Sequence, residues 1–192
     1  MAGRKKIFNE EEVLEKAAKF FWENGFERSN ARSLAEAIGM HPGSIYHSFN
    51  SKKGLFKRAF EHYGDRVERF IEHTIEAETN IKDGIRKLFY SLIEPNPLTG
   101  QGCFLGNTIV ELSEKDKEIK KLATQILEKR VRQMENLILR GQERGEIDQE
   151  KDPKMLAGML MNLWHGVNIS KRLNQDKEAL KQLINYSLAV LD

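Results

Sequence analysis

Apolar residues recur along the chain at intervals of three and four, and no stretch sustains the alternation of a strand. The first run sets Val13, Leu14, Ala17, Ala18 and Phe21 on one face and stops at Asn24-Gly25. Asn9 is placed to cap it, with Glu12 at the reciprocal third position and Phe8 and Val13 as the flanking apolar pair. Two short helices follow. One opens after Asn30, carries Leu34, Ala35 and Ile38, and ends at Gly39; the next opens with Pro42 and carries Ile45, Tyr46 and Phe49. Their link, Gly39-Met40-His41, has the length of a helix-turn-helix.

A stripe through Lys52, Phe56, Ala59, Tyr63, Val67, Phe70 and Thr74 predicts one long helix from Ser51 to roughly Ala77, about 40 Å at 1.5 Å per residue. Such a helix outruns a small N-terminal core and must connect it to a second body. Further helices are predicted over 81–93, 102–112, 114–144, 153–173 and 177–191, with Ser113 and Asp116 placed as a capping pair and Asp152-Pro153 as a helix entry. Pro95, Pro97, Gly100 and Gly102 make 94–102 the clearest break. The expected fold is all-α with about nine helices: a helix-turn-helix domain over 1–50, a connecting helix over 51–77, and a ligand-binding and dimerisation domain over 78–192. Leu163, Val167, Leu180, Leu183, Ile184 and Leu188 on the last two helices are candidates for a dimeric four-helix bundle, the alternative being a core within one protomer.

Composition narrows the class. Of 192 residues, 40% are hydrophobic and 31% charged, a balance that suits a soluble chain with a packed core. The longest stretches free of Lys, Arg, Asp and Glu, Pro95–Val110 and Met155–Ser170, are 16 residues each, short of a membrane span. Arg4-Lys5-Lys6 is followed by polar residues rather than a secretory core, and a single cysteine excludes an internal disulfide, so a cytoplasmic location is expected. Residues 1–60 hold eleven Lys and Arg against seven Asp and Glu, whereas the remainder is slightly acidic. A basic front suits an anionic partner.

The front also carries the side chains such a partner needs. With Leu34, Ile38, Ile45 and Phe49 turned inward, Arg32, His41, Ser44, Tyr46, His47, Lys52 and Lys53 are left for solvent or phosphate. Lys52 suits a backbone phosphate, Tyr46 and His47 offer directional donors, and Arg32 reaches a base edge or a phosphate. His41, Pro42, Gly43 and Ser44 open the second short helix, the end that enters the major groove, and Gly43 permits close approach of the backbone. Spacing alone leaves open a peptide-binding helical module or an accessory domain of an enzyme. The chain shows no metal-spaced cluster, phosphate-cradling glycine loop or serine elbow, and its histidines (41, 47, 62, 73 and 165) are scattered. No catalytic residue, metal or cofactor is expected.

The segment Ser33-Leu34-Ala35-Glu36-Ala37-Ile38-Gly39-Met40-His41-Pro42-Gly43-Ser44-Ile45-Tyr46-His47-Ser48-Phe49, with Ser51-Lys52-Lys53-Gly54-Leu55 after it, resembles the DNA-binding domain of the TetR family of bacterial transcriptional regulators. The resemblance implies a homodimer on a palindromic operator, usually a repressor, with Tyr46 and Lys52 on phosphates and residues 41–47 on the recognition helix. It also implies a small-molecule inducer. Three positions depart from the family pattern: His41 replaces the usual serine cap, Lys53 replaces a frequent acidic residue and adds charge near the DNA, and Ser48 stands where an aromatic residue or histidine is common. A transcriptional activator, or a regulator controlled by a protein partner or by cysteine oxidation, would share the same front end.

Behind that end, Gly102-Cys103-Phe104-Leu105-Gly106-Asn107 with Glu111-Leu112-Ser113 resembles a glycine-cysteine motif of one branch of these regulators, some of which sense electrophiles or oxidants. Cys103 has two readings. A position in a first helical turn would favour a reactive thiolate; burial would make it a small inert hydrophobe. Phe89, Cys103, Phe104, Met134, Met159, Trp164 and His165 are candidates for an apolar ligand pocket with a few polar points, or for ordinary core.

Overall fold

The computed structural model describes residues 9–96, 102–173 and 176–192. Over these, the chain forms nine α-helices and no strand: α1 (Glu10–Asn24), α2 (Ala31–Ile38), α3 (Pro42–Phe49), α4 (Lys52–Glu76), α5 (Ile81–Tyr90), α6 (Phe104–Leu112), α7 (Lys117–Glu143), α8 (Pro153–Ser170) and α9 (Lys177–Leu188), closed by a 3-10 turn, Ala189–Leu191. Phe8, the Arg4-Lys5-Lys6 run, Pro97 and Gly100 lie outside the described residues.

Side-chain chemistry sets where the helices start. Asn9 caps α1 by accepting the Glu11 N–H, while Glu12, expected to reach back to the cap, instead binds Lys16 one turn on at 2.6 Å. Asn30, Asn80, Asp152 and Asp176 cap α2, α5, α8 and α9. The helix expected from residue 114 starts at Lys117, because Asp116, not Ser113, takes the first free N–H groups, those of Glu118 and Ile119. The ends expected at 93, 173 and 191 fall three residues earlier. In each case the last residues tighten into i to i+3 bonds, as in Ile93 N–H to Tyr90 C=O and Leu173 N–H to Ser170 C=O.

The chain divides into two compact units. The first comprises residues 1–65 with 107–122; the second comprises 66–106 with 123–192. The segment 107–122, the end of α6 and the start of α7, thus clusters with the N-terminal helices, which hydrophobic periodicity does not announce.

In the first unit, Val13, Ala17 and Phe21 of α1, Leu34 and Ile38 of α2, Ile45 and Phe49 of α3, and Leu55, Phe56 and Phe60 of α4 are buried. Phe56 anchors an aromatic cluster, meeting Phe21 and Phe26 edge to face at 5.1 and 5.0 Å and stacking on Phe60 at 5.7 Å. Arg58 pairs with Glu10 between α4 and α1.

In the second unit, α5 packs on α9 and α9 on α8. Ile81, Ile85, Leu88, Phe89, Leu160, Trp164, Val167, Leu180, Ile184 and Leu188 are buried there. The Tyr90 hydroxyl donates to Asn185 Oδ1 at 2.6 Å, and Gln142 bridges the turn before α8 by donating to the carbonyls of Asp148 and Lys151.

Burial within one protomer sorts the dimer candidates. Val167, Leu180, Ile184 and Leu188 fill the protomer's own core, Leu163 is half-buried, and only Leu183 is exposed. Periodicity shows that a helix has an apolar face but not which neighbour covers it. The outward apolar residues are instead Met155, Met159, Ile169 and Leu173 on and just beyond α8, and Leu183 and Tyr186 on α9, Tyr186 being 87% exposed.

The joint between α3 and α4 is tight. Asn50 turns the chain at φ 64°, the Ser51 hydroxyl accepts the Gly54 N–H at 2.9 Å, and a Cβ on Gly54 would stand 2.0 Å from the Phe49 carbonyl oxygen. Gly54→Ala is expected to cost about 1–3 kcal/mol by forcing α3 and α4 apart, read as a lowered melting temperature. An unchanged melting temperature would show that the joint yields freely.

Candidate nucleic-acid interface

Helix α3 shows two chemically distinct faces. Ile45 and Phe49 point into the core, each worth about 1.5–3 kcal/mol when buried. His41, Gly43, Ser44, Tyr46 and His47 are exposed, and Pro42 at the first turn is half-buried. His41 does cap α3: its Nδ1 accepts the Gly43 N–H at 3.2 Å, the bond that serine usually supplies. Tyr46 is 48% exposed, partly covered by the protein. Arg32 projects from α2 in an exposed pair with Glu36 at 3.1 Å, a pairing weak enough to exchange for phosphate.

Lys52, expected at a backbone phosphate, is also engaged within the protein. Its ammonium donates to the carbonyls of Phe26 and Ser29, both at 2.9 Å, and lies 4.2 Å from the centre of the Phe26 ring. Two of its three N–H groups thus hold the connection between α1 and α2. Sequence shows a lysine beside the third helix but not the carbonyls, 26 and 23 residues earlier, that fold back to meet it. Lys53 is also engaged. It binds Asp116 at 2.7 Å and Glu118 at 3.3 Å, and Lys57 binds Glu118 at 3.4 Å. The hydrogen bond to Asp116 is the main cause that raises the Lys53 pKa, and the same ammonium lowers those of Asp116 and Glu118. The contribution of Asp116 and Glu118 to stability is present near neutrality and is lost as pH falls through their lowered pKa values. The charge that Lys53 adds is therefore neutralised within the protein.

Among the ligand candidates, Phe89, Cys103, Phe104, Met134 and Trp164 are buried in the second unit, with Phe89 and Trp164 edge to face at 5.9 Å. Met159 is 48% exposed and belongs to the outer face of α8 instead. His165 is half-buried; burial first, and Arg130 second, lower its pKa and favour the neutral imidazole. Cys103 is 7% exposed. Burial raises its pKa, only partly offset by the Gly106 N–H donating to Sγ at 3.3 Å and by the Arg130 charge. Lys171 donates to the Leu92 carbonyl at 2.7 Å, and burial lowers its pKa to about 8. Among the described residues no group of His, Cys, Asp and Glu is arranged to hold a metal, and no helix is long and apolar enough to cross a membrane.

These features can be set beside known proteins. Residues 13–59 match the model of the bacterial regulatory proteins of the tetR family, and residues 83–186 match the tetracyclin repressor-like C-terminal domain. The chain belongs to the TetR family of bacterial transcriptional regulators: it is a DNA-binding regulator rather than an enzyme. It is 29% identical over 180 residues to the HTH-type transcriptional repressor DhaR of Mycobacterium sp. strain GP1, covering 93% of this chain and 90% of DhaR. It is 29% identical over 189 residues to the repressor ComR of Escherichia coli K12, covering 97% and 90%. Its fold is that of the TetR-family regulator CifR, a cysteine mutant solved with 26-bp operator DNA, at TM-score 0.84 and 21% identity over 98% of this chain and 100% of that one.

Two outcomes follow from the geometry. Lys52→Ala is expected to lower the melting temperature, because two carbonyls lose their donor at about 1–3 kcal/mol; its slope of DNA affinity against salt should stay near wild type. A slope reduced by about one unit would instead assign Lys52 to phosphate. Cys103 in the folded protein should react with iodoacetamide at pH 7.5 far more slowly than after unfolding, and equal rates would contradict its burial.

Proposed function

We propose that the chain is a homodimeric repressor that binds a palindromic operator in the bacterial cytoplasm and is released by a small, largely apolar ligand held in the C-terminal unit. The observation that carries this reading is α3 itself: Ile45 and Phe49 lock it into the core while His41, Ser44, Tyr46 and His47 stand outward together. Arg32 adds a cation from α2. Phosphate contacts fix the register, and base-edge contacts from the start of α3 select sequence.

A homodimer supplies two such helices, about 34–36 Å apart for successive major grooves. The exposed apolar residues of α8 and α9 provide a surface for it: Met155, Met159, Leu183 and Tyr186 are too many and too large to be left in water without cause. Phe89, Phe104, Met134 and Trp164 support an apolar ligand site in the C-terminal unit, with His165 a neutral polar point. Cysteine control is less favoured, since Cys103 is buried with a raised pKa.

Leu183→Glu is expected to yield monomers in sedimentation and to abolish operator binding, because a charge at an apolar seam has no partner. A Leu183→Glu dimer with full affinity would refute this interface. Ser44→Ala is expected to change which operator is preferred while leaving non-specific affinity unaltered; an unchanged preference would remove Ser44 from base readout.

A further inference from the structure

Asn168 lies within the second unit, on the buried side of α8, and is only 2% exposed. Its amide is fixed in one orientation. Nδ2 donates to the Trp164 carbonyl one turn earlier at 3.0 Å, and the flipped amide would set two acceptors face to face. The group left over is therefore Oδ1, and that oxygen is buried with no hydrogen-bond partner. A buried acceptor without a donor is costly, so the position calls for something that brings one. Four residues after Trp164 and three after His165, Asn168 falls between the two on the helix face. On the Trp164 side stands an aromatic wall, the edge-to-face pair with Phe89 at 5.9 Å. On the His165 side is the start of α6, where a Cβ on Gly106 would lie 3.6 Å from Cys103 Sγ and 3.8 Å from His165 Nδ1. The Arg130 charge acts on both Cys103 and His165. All of these residues belong to the second unit.

We propose that the ligand of the C-terminal unit carries a neutral hydroxyl on an apolar body, and that Asn168 Oδ1 accepts the hydrogen bond from it. The inference rests on the apolar-ligand reading above and names the polar group of that ligand. The alternatives fail on chemistry. A purely apolar ligand leaves Oδ1 unpaired, and a carboxylate brings only acceptors to an acceptor. An ammonium would donate, but it would meet the Arg130 charge. A hydroxyl donates without carrying charge, and its oxygen can in turn accept from a ring N–H of His165. Trp164 and Phe89 then supply apolar surface for the rest of the molecule.

The test uses the full-length protein in equilibrium dialysis with two probes of one shape, 1-naphthol and 1-fluoronaphthalene. Only the first can donate, and the second is the more apolar. Wild type should bind 1-naphthol about tenfold or more tightly than 1-fluoronaphthalene. Asn168→Leu keeps the size of the side chain and removes the acceptor, so it should bring the two affinities within about threefold or reverse their order. Equal binding by wild type, or a preference for 1-fluoronaphthalene, overturns the hydroxyl proposal and spares the apolar-ligand reading; that is also the outcome if water alone satisfies Oδ1. A 1-naphthol preference that survives in Asn168→Leu removes Asn168 from the contact and overturns the proposal. Binding of neither probe overturns both readings. Should Asn168→Leu fail to fold, NMR on wild type decides the matter. The Asn168 side-chain amide signals should shift with 1-naphthol and stay in place with 1-fluoronaphthalene, and signals that respond alike to both overturn the proposal.

Discussion

An eight-residue helix has little stability of its own in water, because so few hydrogen bonds cannot offset the cost of nucleation. The outward face of α3 therefore depends on the burial of Ile45 and Phe49 and on the joint that hands the chain to α4. Phe56 and Phe60 place the start of that long helix in the aromatic core around Phe21 and Phe26. Helix α3 is held in place by that larger core.

The polar groups around that core are mostly occupied in holding backbone. Lys52 takes carbonyls and Glu111 takes N–H groups of one short connection, while Lys53 and Lys57 face Asp116 and Glu118. Among the described residues of the basic N-terminal region, Lys52, Lys53 and Lys57 are thus engaged within the protein.

Much of the fold was legible because helical periodicity, capping residues and turn glycines act locally. Asn30, Asp152 and the Gly39 stop place helices correctly from neighbouring residues alone. Helix ends were less legible, since the last turn tightens according to what packs on it. The site divides the same way. The exposed face of α3 follows from the alternation of Ile45 and Phe49 with polar positions. The role of Lys52 does not, because its carbonyl partners are distant in sequence. Nor does the direction of the α8 and α9 apolar faces: Leu183 and Ile184 are adjacent and equally hydrophobic, yet one is 47% exposed and the other is fully buried. Only the placement of neighbouring helices separates them.

The central claim is that two copies of α3, held by these cores, read one symmetric site. Selection of duplexes from a random-sequence pool by the purified full-length protein, followed by sequencing of the bound fraction, tests it most directly. The expected result is enrichment of a two-fold-symmetric sequence whose half-sites are centred one helical turn, about 34–36 Å, or a multiple of it apart. Enrichment of an asymmetric single half-site, or no enrichment over the starting pool, would contradict it.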